Sequence, residues 1–175
     1  MVPRFVTLLL LVGLALAAAG CSSAKKKKSL EAVKAEVAES FTKLKEAIAD
    51  MREGHTEKLW MILAEESLAE ADKRAKSFRA EFAKLDKEEQ QEQARQWGAT
   101  ADQIRERLNG QGYLGIRHEE IYKRYWMMVG APVEDITPKG DEATVYYSPD
   151  DSDRDKKSVT FVREDGEWKV VLHVP

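Results

Sequence analysis

The pair Asp165-Gly166 stands between two β-rich runs, Ser158 to Arg163 and Trp168 to Val174. It constrains the fold of this chain more than any other feature. A two-residue type I′ turn needs positive φ, which these residue types tolerate, so the pair predicts a β-hairpin. Two more runs precede it, Val133-Glu134-Asp135-Ile136-Thr137 and Ala143 to Ser148. Turn residues fill the gaps: Pro138-Lys139-Gly140-Asp141, then Ser148-Pro149-Asp150-Asp151-Ser152-Asp153. The stretch from Val133 to Pro175 therefore reads as a four-stranded antiparallel meander. Alternation assigns its faces. Trp168, Val170, Leu172 and Val174 share one face, which is the more apolar and should meet the core; Lys169, Val171 and His173 share the other. Tyr146 and Tyr147 point to opposite faces.

A meander with one apolar face needs a cover, and the residues before it supply helices. Leu30, Val33, Val37, Phe41, Leu44, Ile48 and Met51 recur in steps of three and four, the stripe of an amphipathic helix from Ser29 to about Arg52. Gly54 ends it. His55 or Thr56 opens a second helix with Leu59, Trp60, Ile62 and Leu63. A long charged helix from Ser67 carries the thinner stripe Leu68, Ala71, Ala75, Phe78, Phe82 and Leu85, as expected of an element that covers the core from outside. Asp86 caps a polar helix ending at Trp97-Gly98. Thr100-Ala101-Asp102-Gln103 has the form of a capping box and opens another, ending at Asn109-Gly110. Gln111-Gly112-Tyr113-Leu114-Gly115-Ile116 reads as a glycine-rich connector, since it lacks the lysine and spacing of a phosphate loop. The last helix, His118 to Val129, bears Ile121, Tyr122, Tyr125, Trp126 and Val129. Its aromatic residues are the expected partner of Trp168. There is no internal repeat. With 175 residues, 43% hydrophobic, the chain can build one α+β domain over residues 30–175, mainly helical over 30–129 and sheet over 133–175.

Residues 1–20 are a separate object. Arg4 precedes the apolar run Phe5 to Leu16, and the small residues Ala17-Ala18-Ala19-Gly20 follow it. A basic start, a short apolar run and small residues before a cut site make an export signal. The stretch from Phe5 to Gly20 is 16 residues, short of the ~20 that a spanning helix needs. Lys25 to Lys28, placed after the apolar run, act against export by the positive-inside rule; the length and the small-residue ending both favour it. Ala18-Ala19-Gly20-Cys21 resembles the lipobox of bacterial lipoproteins, with alanine where leucine is commoner. That resemblance implies a lipid on the Cys21 thiol, cleavage before Cys21, and attachment to a membrane of the bacterial cell envelope. Cys21 is the only cysteine, so no disulfide would support the mature fold. Residues 21–29 then form a lipidated tether whose lysines self-repel and stay extended as a solvated spacer. Ser22 stands where aspartate would signal inner-membrane retention, which by the lipoprotein rule implies the outer membrane facing the periplasm in a Gram-negative cell.

The helix pair around Gly54 and Trp60, the aromatic helix before the sheet, and Ala143-Thr144-Val145 answered by Val159 to Val170 resemble the nuclear transport factor two-like superfamily, and within it small bacterial lipoproteins of unknown function. The resemblance covers Leu30 to Leu63 loosely and Ile116 to Val174 better, while Ser67 to Gly110 departs from the enzyme members. It implies a curved sheet wrapped around helices into a cone with an apolar pocket. Trp60, Tyr125, Trp126, Tyr147, Phe161 and Trp168 are the ligand-pocket candidates. It also implies dimerisation through the open sheet face.

The chemistry is less legible. The superfamily's isomerases and dehydratases place a carboxylate, histidine or tyrosine inside the cone, and the residues available here are Tyr146, Tyr147, Asp135 and His173. No catalytic motif of those members is matched, so no catalytic residue and no cofactor is assigned. His118-Glu119-Glu120 lacks the second histidine of a helical zinc motif. Asp150-Asp151-Ser152-Asp153 with Asp155 lacks the glycine and closing glutamate of a calcium loop. Cleavage before Cys21 would leave 27 basic against 31 acidic residues, a net of −4, which is no signature of a nucleic-acid binder. Two functional classes remain. One is a membrane-tethered, non-enzymatic domain that binds a small apolar ligand or an envelope protein. The other is a small-molecule isomerase or lyase that uses the cone pocket. A pocket filled by Trp126, Phe161 and Trp168 would favour the first.

Overall fold

The computed structural model describes residues 28–149 and 156–175. The export segment, Cys21, most of the tether and most of the acidic second turn lie outside the described residues. Helix α1 spans Leu30–Asp50, with the Ser29 hydroxyl accepting from the Ala32 amide at 3.2 Å to cap it. Val37, Phe41, Leu44, Ala47 and Ile48 form its buried face, as the three–four spacing predicts. Leu30 is 58% exposed, so the stripe overruns the core by a turn. A 3₁₀ turn at Met51–Glu53 follows, and Gly54 closes it at φ 83°. Then come α2 (Glu57–Ile62), α3 (Glu65–Phe82) and α4 (Lys87–Gln96). Asp86 caps α4 in a full capping box with Glu89. The Thr100–Gln103 box also forms, through bonds of 2.8 and 3.2 Å. What it opens is a π-helical turn, Gln103–Arg107, which ends when Leu108 turns extended.

Residues 111–116 are not the connector that their glycines suggest. They belong to a helix, α5 (Gly110–Ile116), followed by α6 (His118–Tyr125) and a 3₁₀ turn at Trp126–Met128. Two side chains compensate for the low helix propensity of its glycines. Asn109 accepts from the Gly112 amide at 2.9 Å, and Asp72, on α3, accepts from the Gly110 amide at 2.7 Å. Gly110 is also a contact point. A Cβ there would stand 2.9 Å from the Asp72 backbone nitrogen and 3.0 Å from the Trp60 ring. Glycine lets α5 pack directly on α3, and the small residues Ser67, Ala71 and Ala75 give α3 a flat buried face.

The sheet holds β1 (Val133–Lys139), β2 (Glu142–Tyr147), β3 (Lys157–Glu164) and β4 (Glu167–Val171) in the order 1-2-3-4. All pairs are antiparallel, as the meander predicts. Asp165 and Gly166 turn the last hairpin at φ 50° and 89°. Ile136, Ala143, Val145, Tyr147, Val159, Phe161, Trp168 and Val170 are buried in one core with α1. The fold class is α+β, helices on a C-terminal antiparallel meander. A satellite cluster of Phe82, Ala94 and Ile104 joins α3, α4 and the π turn. There the Phe78 ring meets Trp97 edge-on at 5.2 Å and Tyr113 at 5.8 Å.

The last strand ends earlier than Val174 because its backbone changes partners. The Leu172 amide donates to the Ser67 hydroxyl at 3.0 Å, and that hydroxyl donates to the Leu172 carbonyl at 3.1 Å. Tyr125 donates to the His173 carbonyl at 3.0 Å and Tyr113 to that of Pro175 at 2.6 Å. On the same edge the Ala64 amide donates to Val170 at 2.8 Å. Side chains and turns of the helical half thus hold the C-terminal segment in place of a fifth strand.

Candidate functional site

The expected interior pocket is filled. Phe161 is 1% exposed, Tyr147 5% and Trp168 6%, and Tyr147 packs its ring 5.6 Å from that of Phe41. Between α2, α5, α6 and the C-terminal segment a gap of about 10 Å³ remains, with Tyr125 on its wall; that is at the threshold for holding one water. Trp60 is half-buried, with its ring beside Gly110. Trp126 is 53% exposed, outside the core altogether. The six aromatic candidates therefore do not line a common cavity. Trp126 departs most from expectation; it follows the end of α6 at Tyr125 and stands five residues after the buried Ile121, about 140° round a helix from the core-facing side.

The residues considered for acid–base work are also scattered. Tyr146 is 37% exposed on the outer sheet face, opposite the buried Tyr147, as alternation predicts. His173 is exposed. Asp135 is exposed and lies 3.5 Å from Lys34; the Ile136 amide first, then the Thr137 hydroxyl and Lys34, hold its carboxyl below the usual range. Burial pushes the Tyr125 and Tyr147 phenols up, which keeps both neutral. Among the described residues no group of three or more His, Cys, Asp or Glu side chains is placed to hold a metal.

Trp168 does define a site, on the side facing α1. A groove of about 550 Å³ lies between α1, the end of α2 and the β3–β4 turn. Its walls include Glu36, Glu39, Lys43 and Met61, with Ile62 and Trp168 below. Met61 is 63% exposed. The partner of Trp168 is thus α1 and not the aromatic helix: the last hairpin folds across the N-terminal half of α1, and no ring contact links Trp168 to Tyr122 or Trp126 among the described residues. The Arg163 guanidinium stands 5.8 Å over the indole, a cation–π distance.

Charge is organised around Glu36. It pairs with Lys28, and Arg163 lies 3.7 Å away. Lys28 foremost, then Arg163 and the Trp168 indole, hold the Glu36 carboxyl below the usual range. The indole Nε1–H is buried and makes no hydrogen bond of normal geometry among the described residues, so Lys28 is the main cause of the shift. Glu39 and Glu167 pair with Lys43 and Lys169, each at 2.8 Å. Lys169 also donates to the Met61 carbonyl at 3.0 Å, tying β4 to the end of α2. The groove is therefore an apolar floor with a rim of charge pairs, suited to holding a polypeptide segment. Among the described residues, each of its carboxylates, Glu36, Glu39 and Glu167, is paired with a lysine. The alternation of β4 points to Trp168; Glu36 and Met61 carry no sequence signal that distinguishes them from other helix residues. No protein-family model, no curated protein and no solved structure matches this chain.

Proposed function

We propose that this chain is a membrane-anchored lipoprotein of the bacterial envelope, in the manner of the nuclear transport factor two-like lipoproteins, and that its domain is a non-enzymatic binding module for an envelope protein. The single observation that carries the binding reading is the position of Trp168: its ring helps fill the core, while its edge floors an open groove flanked by the exposed Met61. A filled interior leaves the outer surface as the place to bind, and an exposed thioether beside an indole is the adaptable apolar contact that peptide grooves use. The isomerase or lyase reading needs an ionisable group in a closed apolar cavity; among the described residues Tyr146, Asp135 and His173 lie at the surface. Export and the lipid on Cys21 are supported by residues 1–21, and the tether delivers the chain to Lys28, which pairs with Glu36 at the groove.

Anchoring and binding are tested separately. Cys21→Ser should leave an uncleaved precursor, because lipid transfer to the thiol precedes cleavage; processing to mature size would mean an ordinary export signal. For binding, a photo-crosslinking residue at position 61 should trap one discrete partner in intact cells, while the same residue at position 144, on the outer sheet face, should not. Equal yields at the two positions would remove the groove from the proposal.

A further inference from the structure

A second groove, of about 620 Å³, lies away from Trp168, between Gly54, the turn after α4, the π-helical turn and α5. Trp97, Ile104, Leu108 and Ile116 give it apolar walls, and its charged or titratable lining is Arg107 and His118. Among the described residues no carboxylate side chain lines it, although the chain has 31 acidic residues. Arg107 lines the groove and forms no ion pair among the described residues, so its guanidinium, with five N–H donors, is available to a ligand carboxylate. The backbone leaves room: a Cβ at Gly98 or Gly115 would meet nothing within 4 Å. The π turn itself is a form that recurs at functional sites.

The tautomer of His118 follows from its partner. Nδ1 lies 2.8 Å from the Gly115 carbonyl, which can only accept, so in the neutral ring Nδ1 carries the proton and Nε2 is a bare acceptor. Nε2 lies 3.9 Å from where a Gly54 side chain would begin, and both residues line the groove. The lining thus offers a cation for a carboxylate, aromatic and branched surface for a ring, and an acceptor for a hydroxyl. We propose that this groove binds a small aromatic hydroxy acid, its carboxylate on Arg107, its ring against Trp97 and Ile116, and its hydroxyl donating to His118 Nε2.

The test uses the full lipidated chain in lipid nanodiscs, titrated calorimetrically with 4-hydroxyphenylacetate, with empty nanodiscs subtracted. Saturable one-to-one binding is expected. The uncharged amide of the probe should bind about tenfold more weakly or worse, as should the acid to Arg107→Gln, since a charge-assisted carboxylate contact is lost in each case. Gly115→Leu should abolish binding by filling the groove, while leaving thermal stability equal or higher because leucine replaces glycine in a helix. Absence of saturable binding at millimolar probe overturns the proposal. So does equal affinity for acid and amide, or unchanged binding in Gly115→Leu. Arg107→Gln, at an exposed residue with no ion-pair partner among the described residues, decides the matter if Gly115→Leu fails to fold.

Discussion

Ser67→Ala and Ser77→Ala are the same chemical change on the same helix, and they should have opposite signs. Helix propensity alone favours both by about 0.5 kcal/mol, because alanine competes less with the backbone for hydrogen bonds. Ser77 is exposed, so propensity decides its case. Ser67 is 2% exposed, and its hydroxyl serves both backbone groups of Leu172, which is itself 6% exposed. Removing the hydroxyl leaves a buried amide and a buried carbonyl without partners, at ~1–3 kcal/mol each. The hydroxyl's own desolvation cost disappears with it, and the propensity gain subtracts about 0.5 kcal/mol more. The expected net loss is about 2–3 kcal/mol. Urea unfolding followed by circular dichroism reads this directly. With a slope near 2 kcal/mol per M, usual for a domain of this size, the midpoint should fall by roughly 1–1.5 M. Ser77→Ala should leave it unchanged or slightly higher. A Ser67→Ala midpoint equal to or above that of Ser77→Ala would refute the claim that this hydroxyl pins the C-terminal segment.

Trp168→Ala should cost ~3–5 kcal/mol, the usual range for a core tryptophan, whereas Lys169→Ala, which loses an exposed pair and the bond to Met61, should cost under ~1.5 kcal/mol; similar urea midpoints would mean the sheet faces the other way. Glu164 accepts from the Glu65 amide with both oxygens, at 3.0 and 3.1 Å, replacing the side-chain cap that Ala64 cannot supply, so Glu164→Ala should cost about 1 kcal/mol and raise amide exchange in the first turn of α3; unchanged exchange there would remove the cap. Thermal midpoints against pH should form a plateau. Glu36, Asp135 and Glu167 lie below their ordinary values of 4.5, 3.8 and 4.5, so the stability they add is present above those values and is lost as pH falls through the folded ones. Tyr125 and Tyr147, raised above 10.0 by burial, and Lys43 and Lys58, raised above 10.5 by Glu39 and Asp50, add stability that is lost as pH rises through their folded values. A midpoint that rises on acidification below about pH 4 would contradict this sign.

The sequence by itself determined the elements whose signals are local. Period-two alternation separates Tyr146 from Tyr147 and places Trp168, Val170, Leu172 and Val174 in the core. Asp165-Gly166 makes its turn because positive φ is a property of those residues. The cap at Asp86 and the box at Thr100 form because each partner lies three residues away. Tertiary structure decided what depends on remote partners. Gly110 to Ile116 becomes a helix through Asp72, 38 residues earlier, a partner that its local glycine-rich sequence does not reveal. The last strand stops at Val171 because a serine 105 residues before Leu172 takes over its backbone. Trp168 finds α1 instead of α6, and the expected aromatic pocket is solid. Alternation can say that Trp168, Tyr147 and Phe161 turn inward. It cannot say whether the rings they meet leave space between them, because packing density depends on the shapes of side chains brought together from the whole chain.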